Sequence, residues 1–330
     1  MTSTSWNERS FTCVHDAEAD SIVRGLLGEV KSAVTTLNLP GFRGLVLGGG
    51  YGRGEGGVTQ GHSLYNDLDF FVFLEAPESS FPGLLKRLEP ISQQFSERAG
   101  IDVDFTLRTA ARLRLDARRL MVQELLRGHV VLAPDGFDLT AWAGLSEYSA
   151  DAIPVGEAAR LLMNRGMGLL MAARPSATGS FVLRNINKAV LGAGDARLVA
   201  LGRYAWRLAE REAALGDALY SKACVFKRMP SEVPAAVATW EEAREYWCAA
   251  YDEIFAVRER DLSRRSLYQA LRWLRRRKTL GAIRTLGMDC TTRVLLRVGT
   301  CLESLPDPRA WNGELEECFA SIQEDWKVFN

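Results

Sequence analysis

An α+β protein is what this sequence predicts: a small mixed sheet flanked by helices in residues 1–150, followed by an all-helical bundle in residues 151–330. Two observations carry that expectation. Short stretches that alternate acidic and apolar residues recur in the first half, and helical periodicity runs almost unbroken through the second. Residues 17–37 place Ile22, Leu26, Leu27, Val30, Val34 and Leu37 at helical spacing, and Pro40 with Gly41 stops that helix. Gly44 to Leu47 reads as a first strand, running into the glycine-rich turn 48–54. Residues 66–73 form a second strand, 81–98 a crossover helix, and 101–107 a third strand. Residues 110–128 then read as one helix, 129–133 as a short fourth strand, and 133–136 as a turn.

Beyond residue 156, the segments 160–172, 182–199, 201–216, 231–258, 267–276 and 291–304 all carry helical spacing. Pro175, Gly192, Gly194, Pro230, Pro306 and Pro308 read as the breaks between them.

Composition narrows the class. With 330 residues, 47% of them hydrophobic, the chain has material for one large core or two smaller ones. Formal net charge is zero, which argues against a surface built wholly for nucleic acid. No apolar run reaches the ~18 residues of a membrane span. The first residues lack the apolar stretch of a signal peptide, so the expected location is cytoplasmic. Cys13, Cys224, Cys248, Cys290, Cys301 and Cys318 show no C-x-x-C spacing, so reduced thiols are expected, with neither a zinc site nor a disulfide framework. His15, His62 and His129 are dispersed, and His15 with Asp16 reads as inconsequential surface.

The chemistry concentrates in residues 48–73. Alternate residues of a strand share a face, so Asp67 and Asp69 point one way while Leu68 and Phe70 point into the core. Carboxylates held that close repel one another unless a cation lies between them. Hard divalent ions favour such oxygen ligands and keep part of their shell for water and phosphate. A glycine turn beside the acids lets backbone N–H groups approach an anion with no Cβ in the way. Asp102 and Asp104, in the next acidic strand, offer a third carboxylate, and spacing alone leaves either of them open. The plain reading of the same acids is a solvated sheet edge, and of the glycines a simple turn. Gly52, Gly54 and Gly57 also spell G-x-G-x-x-G, but a dinucleotide loop opens a helix directly, and residues 58–66 make a poor one.

Gly49-Gly50-Tyr51-Gly52-Arg53-Gly54, then Asp67-Leu68-Asp69, then a later strand acid, resemble the nucleotidyltransferase superfamily of the DNA polymerase β type. The glycine wording is most similar to the uridylyltransferases that modify the nitrogen-regulatory PII protein. The resemblance covers roughly residues 40–135. It implies a nucleotidyltransferase head in residues 1–150 and an acceptor-binding helical domain in residues 151–330. Gly49 and Gly50 would lie under the β- and γ-phosphates of a nucleoside triphosphate, and Arg53 would reach the triphosphate. Asp67 and Asp69 would hold two Mg2+ ions, replaceable by Mn2+, and Asp104 would bind the one that activates the incoming hydroxyl. The implied reaction moves a nucleoside monophosphate onto a hydroxyl of a small molecule, a protein or an RNA, and releases pyrophosphate. Two departures stand out: Gly50 replaces a Ser common in the family, and the stretch 55–66 is long, with Gly56, Gly57 and Gly61 reading as a mobile flap.

Two further features lie in the second half. Lys188 reads as a phosphate contact, or else as a solvated residue paired with Asp195. Residues 258–297 hold twelve Arg or Lys against three acids, centred on Arg275 to Lys278 with Tyr268 and Trp273 nearby. That run reads as a polyanion contact, or as a solvated helix face. Alternatives to an enzyme are a nucleotide-binding regulatory protein of the same fold and a toxin–antitoxin-type interaction protein.

Overall fold

The computed structural model describes residues 6–230, 238–259 and 290–329. They fall into two compact units: Met1–Ser149 joined by Lys227–Ser231, and Ala150–Phe226 with Glu232–Asn330.

The first unit is built on a four-stranded mixed sheet of order β3-β2-β1-β4, with β1 Phe42–Leu47, β2 Leu68–Leu74, β3 Val103–Arg108 and β4 Val130–Ala133. β1 runs antiparallel to both its neighbours, whereas β2 and β3 are parallel. A parallel pair needs a crossover, and α3 (Phe81–Ala99) supplies it. It stops at Gly100, which takes the left-handed conformation at φ 68°.

Both faces of the sheet are covered, which is why β2 reads as a nearly continuous apolar run. On one face Leu45, Leu47, Leu68, Phe70, Val72 and Val103 form a core with α1 (Ala17–Thr36) and α3. On the other, Val46, Phe71 and Phe73 meet Leu113 of α4 (Ala110–Leu115), Leu125 of α5 (Leu120–Arg127) and Leu139 of α6 (Leu139–Ala143). Residues 110–128, expected as one helix, are thus two. Buried Asp116 lies between them and binds Arg112 Nε at 2.8 Å and Arg119 Nε at 2.9 Å, tying together the end of α4 and the start of α5.

Among its described residues the second unit contains helices and no strand: α7 (Val155–Ala173), α8 (Gly179–Ala200), α9 (Leu208–Leu215), α10 (Ala218–Arg228, whose last two residues belong to the first unit), α11 (Trp240–Glu259), α12 (Cys290–Ser304) and α13 (Gly313–Phe329). α7 is central and packs against α8, α11 and α12. Two indoles of α11 reach its backbone, Trp240 Nε1 donating to Leu169 O and Trp247 Nε1 to Leu162 O, both at 3.0 Å.

Three expectations are corrected here. Gly192 and Gly194 do not break a helix but lie inside α8; a Cβ on Gly194 would stand 2.3 Å from the Tyr220 ring, so the glycine makes room for a neighbour. Residues 201–207 are not helical, because buried Arg211 claims the carbonyls of Ala205 and Trp206 at 3.0 and 3.1 Å. Helices α10 and α13 were not anticipated from periodicity. The expected helix 267–276 and the basic centre Arg275 to Lys278, with Tyr268 and Trp273, lie outside the described residues.

Candidate functional site

The acids line up because the strands that carry them are in register. Leu68 pairs with Val103 and Asp69 with Asp104, and Leu68 N donates to Asp102 O at 2.9 Å. Leu68 and Val103 are buried on the α1/α3 face. By alternation, Asp69 and Asp104 lie on the opposite face as lateral neighbours, on strands about 4.8 Å apart. Asp67 and Asp102, two residues earlier and just ahead of β2 and β3, lie close enough for their charges to act on Asp104. A four-carboxylate patch results, with Asp67 and Asp69 half-buried and Asp102 and Asp104 exposed. Further along the same face of β2, Phe71 and Phe73 go under α4, α5 and α6. The acids occupy the leading end of the strands.

Crowding of negative charge leaves its mark on Asp104. Its carboxyl is pushed above the ordinary carboxylate range, first by partial desolvation, then by the charges of Asp67 and Asp102. Asp104 is therefore the acid of β3 that stands in register with Asp69 and feels Asp67.

The glycine turn closes over the same end. β1 is antiparallel to β2, so its last residues meet the first residues of β2, and Gly48 N donates to Asp69 O at 2.8 Å. Gly49 follows at φ 60°, and a Cβ built there would lie 1.9 Å from Asp69 Oδ2. Only glycine combines that conformation with that approach. Gly49–Gly52 form a single helical turn, α2, whose next residues fold back as Glu55 N donates to Gly50 O at 2.8 Å.

Residues 55–66 are not a mobile flap. Glu55, Gly56, Gly57 and Val58 are buried, Gly56 bridges to Thr12 and Val58 to Leu64. Gly56 is small because the Tyr51 ring lies against it, 2.2 Å from where a Cβ would be. The fully buried Tyr51 is the pivot: its hydroxyl donates to Gly57 O at 2.9 Å and accepts from Tyr65 N at 3.0 Å. Burial pushes the Tyr51 hydroxyl up to about 12, so it stays protonated. Asn66 closes the loop at its base, Oδ1 accepting from Gly57 N at 2.7 Å. Only the tip is exposed, where His62 Nδ1 lies 2.7 Å from Asp16 Oδ2. Asp16, expected to be inconsequential, caps α1 by accepting from Glu18 N and Ala19 N as well.

Arg53, expected at a triphosphate, is gripped by carboxylates. Its Nε lies 3.3 Å from Glu55 Oε2 and its Nη1 3.2 Å from Glu124 Oε2 on α5. Lys227 Nζ adds a second cation 3.6 Å from Glu55 Oε2. Two positive and two negative charges thus anchor the turn to α5 and to the segment 227–231. Glu55 closes the glycine motif in sequence but was given no role there, and sequence spacing carried no sign of Glu124 or Lys227; the three come together only through the fold. Tyr51 and Asn66, by contrast, stand inside the motif stretches.

Lys188 is a half-buried residue of α8 in the second unit. Asp195, its expected ion-pair partner, has its Oδ1 3.0 Å from Arg211 Nε and 2.6 Å from the Tyr220 hydroxyl.

As they stand, no three His, Cys, Asp or Glu side chains among the described residues converge to hold a metal ion. The chemistry of the patch nevertheless suits one: its donors are all carboxylate oxygens, they come from two adjacent strands, and their mutual repulsion is what a divalent cation relieves. No helix among the described residues is long and apolar enough to cross a membrane. Comparison of the chain with protein-family models, with curated proteins and with solved structures found no match.

Proposed function

We propose that this chain is a metal-dependent nucleotidyltransferase that moves a nucleoside monophosphate from a triphosphate to a hydroxyl acceptor. The observation that carries the reading is the register of Asp69 with Asp104, with Asp67 close enough for its charge to act on Asp104 and Gly49 pressed against the Asp69 carboxylate. Asp67, Asp69 and Asp104 are the residues to hold Mg2+ or Mn2+, which when bound neutralises charge on the attacking and leaving oxygens of an in-line displacement. Each residue of the chain then has a part. The backbone of Gly49 and Gly50 lies along the β- and γ-phosphates. Arg53, braced by Glu55 and Glu124, adds positive charge behind the turn and fixes it. Asp104, beside the attacking hydroxyl, takes its proton as the new P–O bond forms. Pyrophosphate carries away the electron pair of the broken bond. Phosphoryl chemistry of this kind is positioning and charge neutralisation, which a rigid sheet end supplies. The helical second unit serves the acceptor.

The test is direct. The protein is incubated with each labelled triphosphate, Mg2+ or Mn2+, and a cell extract, and the label is followed into protein, RNA or small molecules. Label in one fraction names the acceptor class. One feature favours a second reading, nucleotide binding without turnover: the Arg53 guanidinium is already engaged by two carboxylates. Triphosphate retained by the protein with no label transferred anywhere decides for that reading and against the first.

A further inference from the structure

In the second unit two thiols stand face to face. α12 and α13 form an antiparallel hairpin. Near its closed end Cys301 of α12 and Cys318 of α13 bring their Sγ atoms to 3.0 Å. One turn earlier on α12, Arg297 reaches two residues further along α13. It donates from Nη1 to Asp325 Oδ2 at 2.6 Å and from Nη2 to Ser321 Oγ at 3.0 Å. The register of the hairpin is therefore set by independent polar contacts, and the thiols meet as a consequence. A disulfide needs about 2.0 Å between the sulfurs, so about 1 Å of closure joins them. Cys301 is buried at 4% exposure, while Cys318 is partly exposed, so reagents reach one thiol before the other.

We infer that Cys301 and Cys318 are a reversible dithiol–disulfide pair that locks α13 to α12 when a disulfide-type oxidant is present. The steps balance. The thiolate of Cys318 attacks one sulfur of the oxidant R–S–S–R, forming a mixed disulfide and expelling one R–S−, which takes up a proton. Cys301, after losing its proton to solvent, attacks Cys318 Sγ and expels the second R–S−. Two thiols of the protein are oxidised and one disulfide of the oxidant is reduced to two thiols. Burial, with the neighbouring Cys318 adding to it, pushes the Cys301 thiol up to about 12 in the reduced protein, so Cys318 is the thiol that meets the oxidant first.

Glutathione disulfide is the probe. The folded full chain is oxidised, blocked with a thiol-alkylating reagent under denaturing conditions, and mapped by peptide mass spectrometry. The expected product is a Cys301–Cys318 linked peptide with the other cysteines alkylated, reversed by dithiothreitol. Its rate of formation should rise with pH, as the thiolate fraction does. Cys301→Ser should stop the reaction at a stable glutathione adduct on Cys318, and Cys318→Ser should give no bridge. Unchanged thiols, a lasting Cys318 adduct in the unsubstituted chain, or a bridge to any other cysteine overturns the inference, and the unsubstituted chain alone suffices to show any of these.

Discussion

Replacing Gly49 by Ala separates the two demands this position makes on the chain. Its φ of 60° is left-handed, and so is the 68° of Gly100, which closes α3 in the same unit. An L side chain in that region costs roughly 1–2 kcal/mol, while Ala in place of Gly returns about 0.4–1 kcal/mol by restricting the unfolded chain. Gly100 has nothing within 4 Å of an added Cβ, so Gly100→Ala should lose about 1 kcal/mol and no more. At Gly49 the same Cβ meets Asp69 Oδ2 at 1.9 Å, and the carboxylate must swing away. Forced displacement of that kind adds about 1–3 kcal/mol, so Gly49→Ala should lose roughly 2–4 kcal/mol in urea unfolding. The functional readout is Mn2+ affinity by calorimetry together with turnover. Both should fall at least tenfold in Gly49→Ala and stay within twofold in Gly100→Ala, an expectation scaled at about 1.4 kcal/mol per tenfold. Equal stability losses in the two variants would refute the close approach. Unaltered Mn2+ affinity and turnover in Gly49→Ala would refute the role given to Asp69.

Other consequences can be measured separately. Asp67→Asn and Asp69→Asn should each abolish nucleotidyl transfer while the protein still folds, as read by circular dichroism; normal transfer by either variant would falsify the mechanism. In metal-free buffer, Asp67→Asn should bring the Asp104 carboxyl down toward the ordinary range, because the Asp67 charge helps to raise it; carboxyl NMR titration with no movement contradicts their proximity. Tyr51→Phe leaves Tyr65 N–H and Gly57 C=O without the hydroxyl between them. It should cost about 1–3 kcal/mol and speed hydrogen exchange at the Tyr65 amide, whose unchanged protection would count against the pivot. At the loop tip Asp16 raises the His62 pKa, and Asp16 is itself held low, first by the Ala19 backbone N–H it caps and then by His62. The raised His62 contributes stability below the ordinary histidine value, lost as pH climbs through its folded pKa; the lowered Asp16 contributes above the ordinary carboxylate value, lost as pH falls through its own. The pair is thus effective between the two folded values. Asp16→Asn should lower the His62 pKa toward the ordinary histidine value, Glu18 keeping part of the rise, and an imidazole titrating at or below about 6.5 in the unsubstituted protein would remove the pairing.

What was legible in the sequence was what depends on local alternation. A two-residue period put Asp67 with Asp69 and Asp102 with Asp104, and the helix between the strands required them to be parallel. Choosing between Asp102 and Asp104 needed the inter-strand register, which side-chain alternation does not contain. Glycine was the recurrent misreading. Gly56, Gly57, Gly192 and Gly194 were taken for flexibility or breaks, yet Gly56 and Gly194 exist to admit the rings of Tyr51 and Tyr220. Their partners are remote in sequence or lie on another element, so no window around the glycine reveals them. The irregular segment 201–207 has the same origin, since the guanidinium of Arg211 takes carbonyls that a helix needs.

Arg53 is where the resemblance and the geometry ask for different things, and the charges around it show how both can be met. A guanidinium pointing freely at a phosphate site would repel bound cations and would itself be costly to hold still. Here Glu55 and Glu124 both hold it, and Lys227 reaches the same Glu55 oxygen. Its side chain is only 15% exposed, so the pairing is screened less by solvent than a surface pair would be. The quartet is neutral in sum and so does not add to the negative field of the acids a short way along the chain. Negative potential thus gathers at Asp67, Asp69, Asp102 and Asp104, as a cation site requires. The glycine turn beside them is held by Arg53 on one flank and by the buried Tyr51 hydroxyl on the other. Rigid backbone next to concentrated carboxylate charge is the physical content of the site, and it does not need the Arg53 side chain to leave its partners.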